Sequence, residues 1–289
     1  MNKKPLALIL SLALCLMSLF PNVALAGATY QDLGVSLQYD TINQGTPCNI
    51  TGTISSTGVT GIIFTVLKEE LQVHTYNDDG TGGHWHDYTY TQAYYDGTST
   101  PVKVETYYSA PRSIYLNVGT SRFNQEISFG RLDVGEYVLK VELRKGSSSV
   151  YMNLPFVVVP NPNPVTFNLS GFKSSLPFNQ GYVIPGSISC TCRIKKIVAS
   201  VLIAGSGGSN GFTVAKYRSG YKRNNIDYSG KPVSYTWNSP SSKKITIPGS
   251  NIDNNIYFAG LSKGSYYFDL TVYPVYGDPV TYRKTFEIK

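Results

Sequence analysis

The stretch His74–Gly97, "HTYNDDGTGGHWHDYTYTQAYYDG", holds all three histidines of the chain, one of its two tryptophans and five tyrosines. Three kinds of chemistry could reside there. The first is metal binding by His74, His84 and His86. "NDDGTGG" is a turn cluster, so "LQVHTY" and "HWHDYTYTQ" read as the arms of a β-hairpin. On a strand, His84 and His86 share one face. If His74 pairs directly with His86, three imidazoles meet, a set suited to zinc, copper or nickel. A register slip of one residue dissolves the cluster. The second half of the chain has no histidine, so the fold itself does not need one. "NDDG" offers too few oxygens for a calcium loop.

The second chemistry is stacking. Trp85, Tyr88, Tyr90, Tyr94 and Tyr95 could form a platform for sugar rings, with Asp and Asn nearby for hydroxyls. The competing reading makes these rings a second apolar layer over the sheet. The third is catalysis by carboxylates, since Lys68 to Thr100 carries Glu69, Glu70, Asp78, Asp79, Asp87 and Asp96 against one lysine. No spacing there singles out a hydrolase pair.

A second cluster reverses the charge. "KYRSGYKRNN" interleaves Lys216, Arg218, Lys222 and Arg223 with Tyr217 and Tyr221. Such interleaving can grip nucleic acid. On an exported chain, an anionic wall polymer, an acidic glycan or a lipid headgroup is the expected target, unless the face is merely solvated. Elsewhere catalytic signals fail. "GSGGSNG" follows a strand with no helix after it, so it lacks what a phosphate cradle needs. "LIAGSGG" is one place off a nucleophile elbow. Without histidine the second half cannot build a His-based triad. No motif calls for a cofactor.

These residues must be carried by strands. Short alternating or β-branched runs recur, and no long run has helical periodicity, so the chain reads as all-β. Residues 1–26 read as a secretory signal peptide: Lys3 and Lys4, an apolar run from Leu6 to Phe20, and Ala24-Leu25-Ala26 as cleavage site. No later stretch is long and apolar enough for a transmembrane helix. Cys48, Cys190 and Cys192 remain after cleavage, an odd number. Parity makes them small apolar core residues, and an extended strand at 190–192 would strain a bond between those two.

The chain repeats itself. "NQGTPCNITGTIS" (Asn43–Ser55) answers "NQGYVIPGSIS" (Asn179–Ser189), and "EISFGRLDVGEYVLKVEL" (Glu126–Leu143) answers "NIYFAGLSKGSYYFDLTV" (Asn255–Val272). Ile127, Phe129, Leu132, Gly135 and Tyr137 fall on Ile256, Phe258, Leu261, Gly264 and Tyr266 at one constant offset. "PNPNP" (Pro160–Pro164) is a stiff linker signal. The expected layout is domain 1 at 27–160, with an insertion at about 68–120, and domain 2 at 161–289, with an insertion at about 205–250. The middles differ from each other, so function is sought there.

"DVGEYVL" resembles the segment that opens strand F of immunoglobulin-like domains, where the tyrosine hydroxyl ties back to nearby backbone. Leu139 and Phe268 stand where antibody domains put cysteine. The pattern "NQG…I.G.IS", a β-run and "I.F..L..G.Y...V" is similar to bacterial immunoglobulin-like modules of exported Gram-positive surface and cell-wall proteins. The resemblance implies two tandem immunoglobulin-like antiparallel β-sandwiches that act as spacers or wall-contacting units.

Charge separates the halves. Gly27 to Pro160 has 8 Lys+Arg against 13 Asp+Glu, and Asn161 to Lys289 has 15 against 5. Such asymmetry points to partners. The sequence therefore reads as a secreted, non-catalytic cell-envelope binding or adhesion protein. Its expected partner is an anionic wall polymer, a glycan or a surface protein, not nucleic acid. Two alternatives stand beside it: a metal-dependent or carboxylate hydrolase centred on the first insertion, and a structural subunit that self-associates through opposite charges.

Overall fold

The computed structural model describes residues 28–75, 84–204, 211–240 and 242–289, with the backbone alone at 72–75 and 84–87. The expected signal peptide lies outside the described residues. The N-terminal half contains β1 (Ala28–Tyr30), β2 (Val35–Leu37), β3 (Thr41–Asn43), β4 (Ile50–Thr75), β5 (His84–Gln92), β6 (Lys103–Asn117), β7 (Gly135–Lys145) and β8 (Ser148–Val159). The C-terminal half contains β9 (Val165–Asn168), β10 (Ser175–Leu176), β11 (Ser187–Cys190), β12 (Ile194–Ala204), β13 (Phe212–Val214), β14 (Lys222–Arg223), β15 (Ile226–Asp227), β16 (Ser234–Asn238), β17 (Lys244–Thr246), β18 (Gly264–Pro274) and β19 (Val280–Ile288). Short helical turns α1 (Arg122–Glu126) and α2 (Asn251–Asn255) occupy matching places in the two halves. The chain is all-β, as its periodicity requires.

In the C-terminal half, β17-β11-β9 form one layer and β10-β19-β18-β12 the other, with β13 and β16 also pairing β12. This is immunoglobulin-like topology. The N-terminal half keeps the same relations but fuses strands. β4 pairs Thr53 with Asn117 at one end of β6 and Thr65 with Lys103 at the other. It crosses between layers through register shifts at Ser56–Val59 and Val59–Gly61. Bulges bend a strand without ending it, which lets one strand serve two layers. The C-terminal half breaks the chain instead, at 191–193 between β11 and β12.

Among the described residues the ladders are antiparallel except at three places. β1 and β3 each run parallel to β8, and β10 runs parallel to β19. These short strands from the start of each half lie alongside its last strand, so parallel pairing covers an otherwise open edge.

Each half has its own buried cluster. One includes Ile54, Phe64, Phe129, Leu139 and Phe156, and the other Ile188, Phe172, Phe258, Phe268 and Phe286. Leu139 and Phe268 are fully buried, so packing fills the place that antibody domains give to cysteine. Both tyrosine corners form: the Tyr137 hydroxyl donates to Asp133 O at 2.9 Å and the Tyr266 hydroxyl to Ser262 O at 2.9 Å. The repeated glycine of "I.G.IS" also has a cause. Gly52 and Gly186 have φ of +109° and +90°, and a Cβ would lie 2.0 and 1.9 Å from the carbonyl oxygens of Gly34 and Asn168.

The halves touch through polar groups. The Asp96 carboxylate, only 1% exposed, receives Arg193 Nε and Lys243 Nζ, each at 2.9 Å. Gly45 packs so closely on Thr191 that a Cβ there would stand 2.6 Å from Thr191 Cγ2. Asn161 of the linker donates to Gln44 O at 3.0 Å. Part of the opposite charge of the two halves is thus used within one chain.

Candidate functional site

The hairpin expected from the sequence is present, formed by the outer part of β4 and by β5. The pairing of β7 with β4 ends at Lys68–Tyr137. The β5 pairing continues from Leu67–Gln92 out to Thr75–His84. Beyond Glu69 the hairpin is therefore a two-stranded ribbon that has left the sheet, with its turn outside the described residues. A two-stranded ribbon has little core of its own.

The backbone register across the ribbon is described where the histidines lie. His74 pairs with Trp85, and His86 pairs with Val73. The arrangement that three imidazoles require, His74 opposite His86, is not the one adopted. The side chains of His74, His84, Trp85 and His86 lie outside the described residues. Among the described residues no group of three or more metal-ligating side chains comes together.

Nearer the base, Tyr88 pairs with Leu71 and Tyr90 with Glu69. Leu71 is 52% exposed, Tyr88 48% and Tyr90 38%. Burial at the ribbon base raises the Glu69 carboxyl above its usual range, helped by Glu136. The Tyr90 phenol is pushed up to about 12 by burial and then by the charges of Glu69 and Glu136. The base thus holds a neutral phenol paired with Glu69 and within the field of Glu136, and the outer part offers an aromatic ring beside a leucine. Tyr94 is exposed as well, in an isolated pairing with Pro101.

Tyr95 does not belong to that surface. It is buried, its hydroxyl donates to Glu126 O at 3.1 Å, and it accepts from Ser128 N at 3.1 Å. Arg131 covers its ring at 4.3 Å. Tyr217 does the same work in the other half, donating to Asn255 O and accepting from Tyr257 N, both at 3.3 Å. Two residues expected to bind ligand are instead equivalent internal pins. Both belong to a shared ladder. Val66, Ala93 and Val102 exchange backbone bonds as Val201, Ala215 and Val233 do, and Tyr94–Pro101 answers Lys216–Pro232. The two middles are therefore not wholly unrelated insertions. "AYY…PV" and "AKY…PV" were the available signal, hidden because the loops between them differ in length. What differs is the ribbon in the first half and the 218–231 loop in the second.

That loop is built on its own tyrosines. Tyr217 stacks on Tyr221 at 5.6 Å, and Tyr228 meets Tyr257 edge-on at 5.2 Å. Arg218 donates to Ala259 O, Leu261 O and Asn179 Oδ1. Arg223 lies over Tyr257 at 3.8 Å. The strands β14 and β15 form a tight hairpin through Asn224 and Asn225, both with positive φ (51° and 63°), the conformation a type I′ turn needs. Of the expected basic contact residues, Arg218 is committed to the fold and Arg223 is stacked, while Lys216 and Lys222 point outward, exposed.

A cleft of about 680 Å³ lies between the halves, lined among others by Gln125, Arg131, Cys190, Thr191 and Lys243. No helix among the described residues is long and apolar enough to cross a membrane.

No family model matches this chain, and no curated protein does. Among the solved structures that overlap with it weakly are the following three. Dimeric latent PorU from Porphyromonas gingivalis is 12% identical with a TM-score of 0.23, over 90% of this chain and 23% of that one. The chain thus spans about a quarter of the PorU chain. CfaE, the adhesive subunit of CFA/I fimbria of enterotoxigenic Escherichia coli, is 12% identical with a TM-score of 0.24, over 92% and 98% of the two chains. The FN1–FN3 domains of chicken CNTN1 are 9% identical with a TM-score of 0.19, over 90% and 67%. At these scores the overlap says nothing about what this chain binds.

Proposed function

We propose that this is an exported, non-catalytic binding protein of the cell envelope whose main contact element is the β4–β5 ribbon. One observation carries the reading. Leu71 and Tyr88 form a directly paired, exposed apolar couple on an element that has left the sheet. Exposed aromatics beside acids suit a glycan or protein surface, where rings give contact area at low entropic cost. The second contact is the 218–231 loop together with the ladder residue before it, offering Lys222 and Lys216 to an anionic wall polymer.

The test is a sedimentation pull-down on purified cell wall, with Leu71→Ser plus Tyr88→Ser in one variant and Lys216→Gln plus Lys222→Gln in another. Loss of binding in the first variant with little salt dependence supports the ribbon. Wild-type binding by both variants overturns the reading.

A further inference from the structure

The corner between β11 and β12 brings two thiols together. Cys190 ends β11, the chain bends at Thr191 and Cys192, and the Cys190 and Cys192 sulfurs stand 3.7 Å apart. An extended strand would hold alternate residues too far apart for an easy bond. The bend removes that obstacle. Both residues are buried as free thiols, and Cys190 also lines the inter-half cleft. Cys48 lines the same cleft from the other half, but its thiol turns to Tyr39 O at 3.8 Å.

The corner also holds the halves together. Thr191 N donates to Pro164 O at 2.9 Å, the Thr191 side chain packs on Gly45, and Arg193, two residues on, pairs with Asp96. A covalent change at this bend therefore acts where the two halves are fixed to each other.

We infer that Cys190 and Cys192 are a dithiol modification site, oxidised to an intrachain disulfide by exchange with a disulfide reached through the cleft. One sulfur attacks the incoming disulfide and releases a first thiol. The other attacks the mixed disulfide and releases a second. The two thiol protons end on the two released thiols, the Cys190–Cys192 bond forms, and the incoming disulfide is reduced. The hydrogen bond between them lowers the Cys192 thiol below its ordinary range, while the same bond and burial raise the cleft-lining Cys190.

The full secreted chain, reduced and then equilibrated with oxidised glutathione, tests this by thiol counting in denaturant and peptide mapping of the native protein. The expected result is a fall from three thiols to one, with a single Cys190–Cys192 link and Cys48 still free. Three thiols persisting at the most oxidising buffer overturns the inference, and so does a link through Cys48 or between chains. Cys48→Ser, which leaves the pair untouched, is expected to fall from two thiols to none, and a Cys48→Ser chain that keeps both thiols overturns the inference as well.

Discussion

Tyr95 and Tyr217 separate a structural from a ligand-binding role most sharply. In Tyr95→Phe the ring remains and only the hydroxyl goes. That hydroxyl donates to Glu126 O and accepts from Ser128 N. Removing it breaks two bonds, each worth about 0.5–1.5 kcal/mol net, and leaves two backbone groups short of a partner, so the loss is about 1–3 kcal/mol. Tyr217→Phe breaks the matching pair to Asn255 and Tyr257, with a loss of the same order. The two sites sit in separate cores, so the double variant is expected to sum the singles to within about 0.5 kcal/mol. Urea unfolding followed by fluorescence measures all three.

Tyr217 adds a signature in pH. Burial pushes its phenol up to about 12, while an unfolded tyrosine ionises near about 10. The folded state then holds the proton longer than the unfolded state. The stability this confers is complete below about pH 10, declines above it and is gone once pH passes about 12. Tyr217→Phe is expected to flatten that part of the alkaline slope. Unchanged unfolding in the single variants, together with lost cell-wall binding, would refute the assignment of both residues as pins.

Gly186→Ala forces a left-handed backbone on alanine and drives its Cβ into Asn168 O. A loss of about 2–5 kcal/mol is expected by thermal or urea unfolding, and Gly52→Ala should match it in the other half. Asp96→Asn removes the carboxylate shared by Arg193 and Lys243. The expected loss is about 1–3 kcal/mol, moderated by the half-exposed cations, and scattering should report a looser arrangement of the halves with each core intact.

The repeat, the strand-F tyrosine and the hairpin arms were legible because each depends on local spacing: period-2 alternation, a glycine two residues before a tyrosine, and a turn cluster between two strands. The same local logic found the glycine of "I.G.IS" without its reason, since the carbonyl it faces comes from a distant strand. The equivalence of Tyr95 and Tyr217 was hidden. Their neighbours look unlike, one acidic and one basic, and only the shared backbone ladder aligns them.

Sequence by itself determined the all-β character, the repeated frame and the charge contrast, because these are set by composition and short-range pattern. Tertiary structure alone decided three things. The hairpin register depends on how β4 is held in the sheet, and it pairs His74 with Trp85 rather than His86. The fate of the tyrosines depends on what packs over each ring, which leaves Tyr88 exposed and buries Tyr95 and Tyr217. The approach of Cys190 to Cys192 depends on a bend at the corner where the chain passes from one layer to the other.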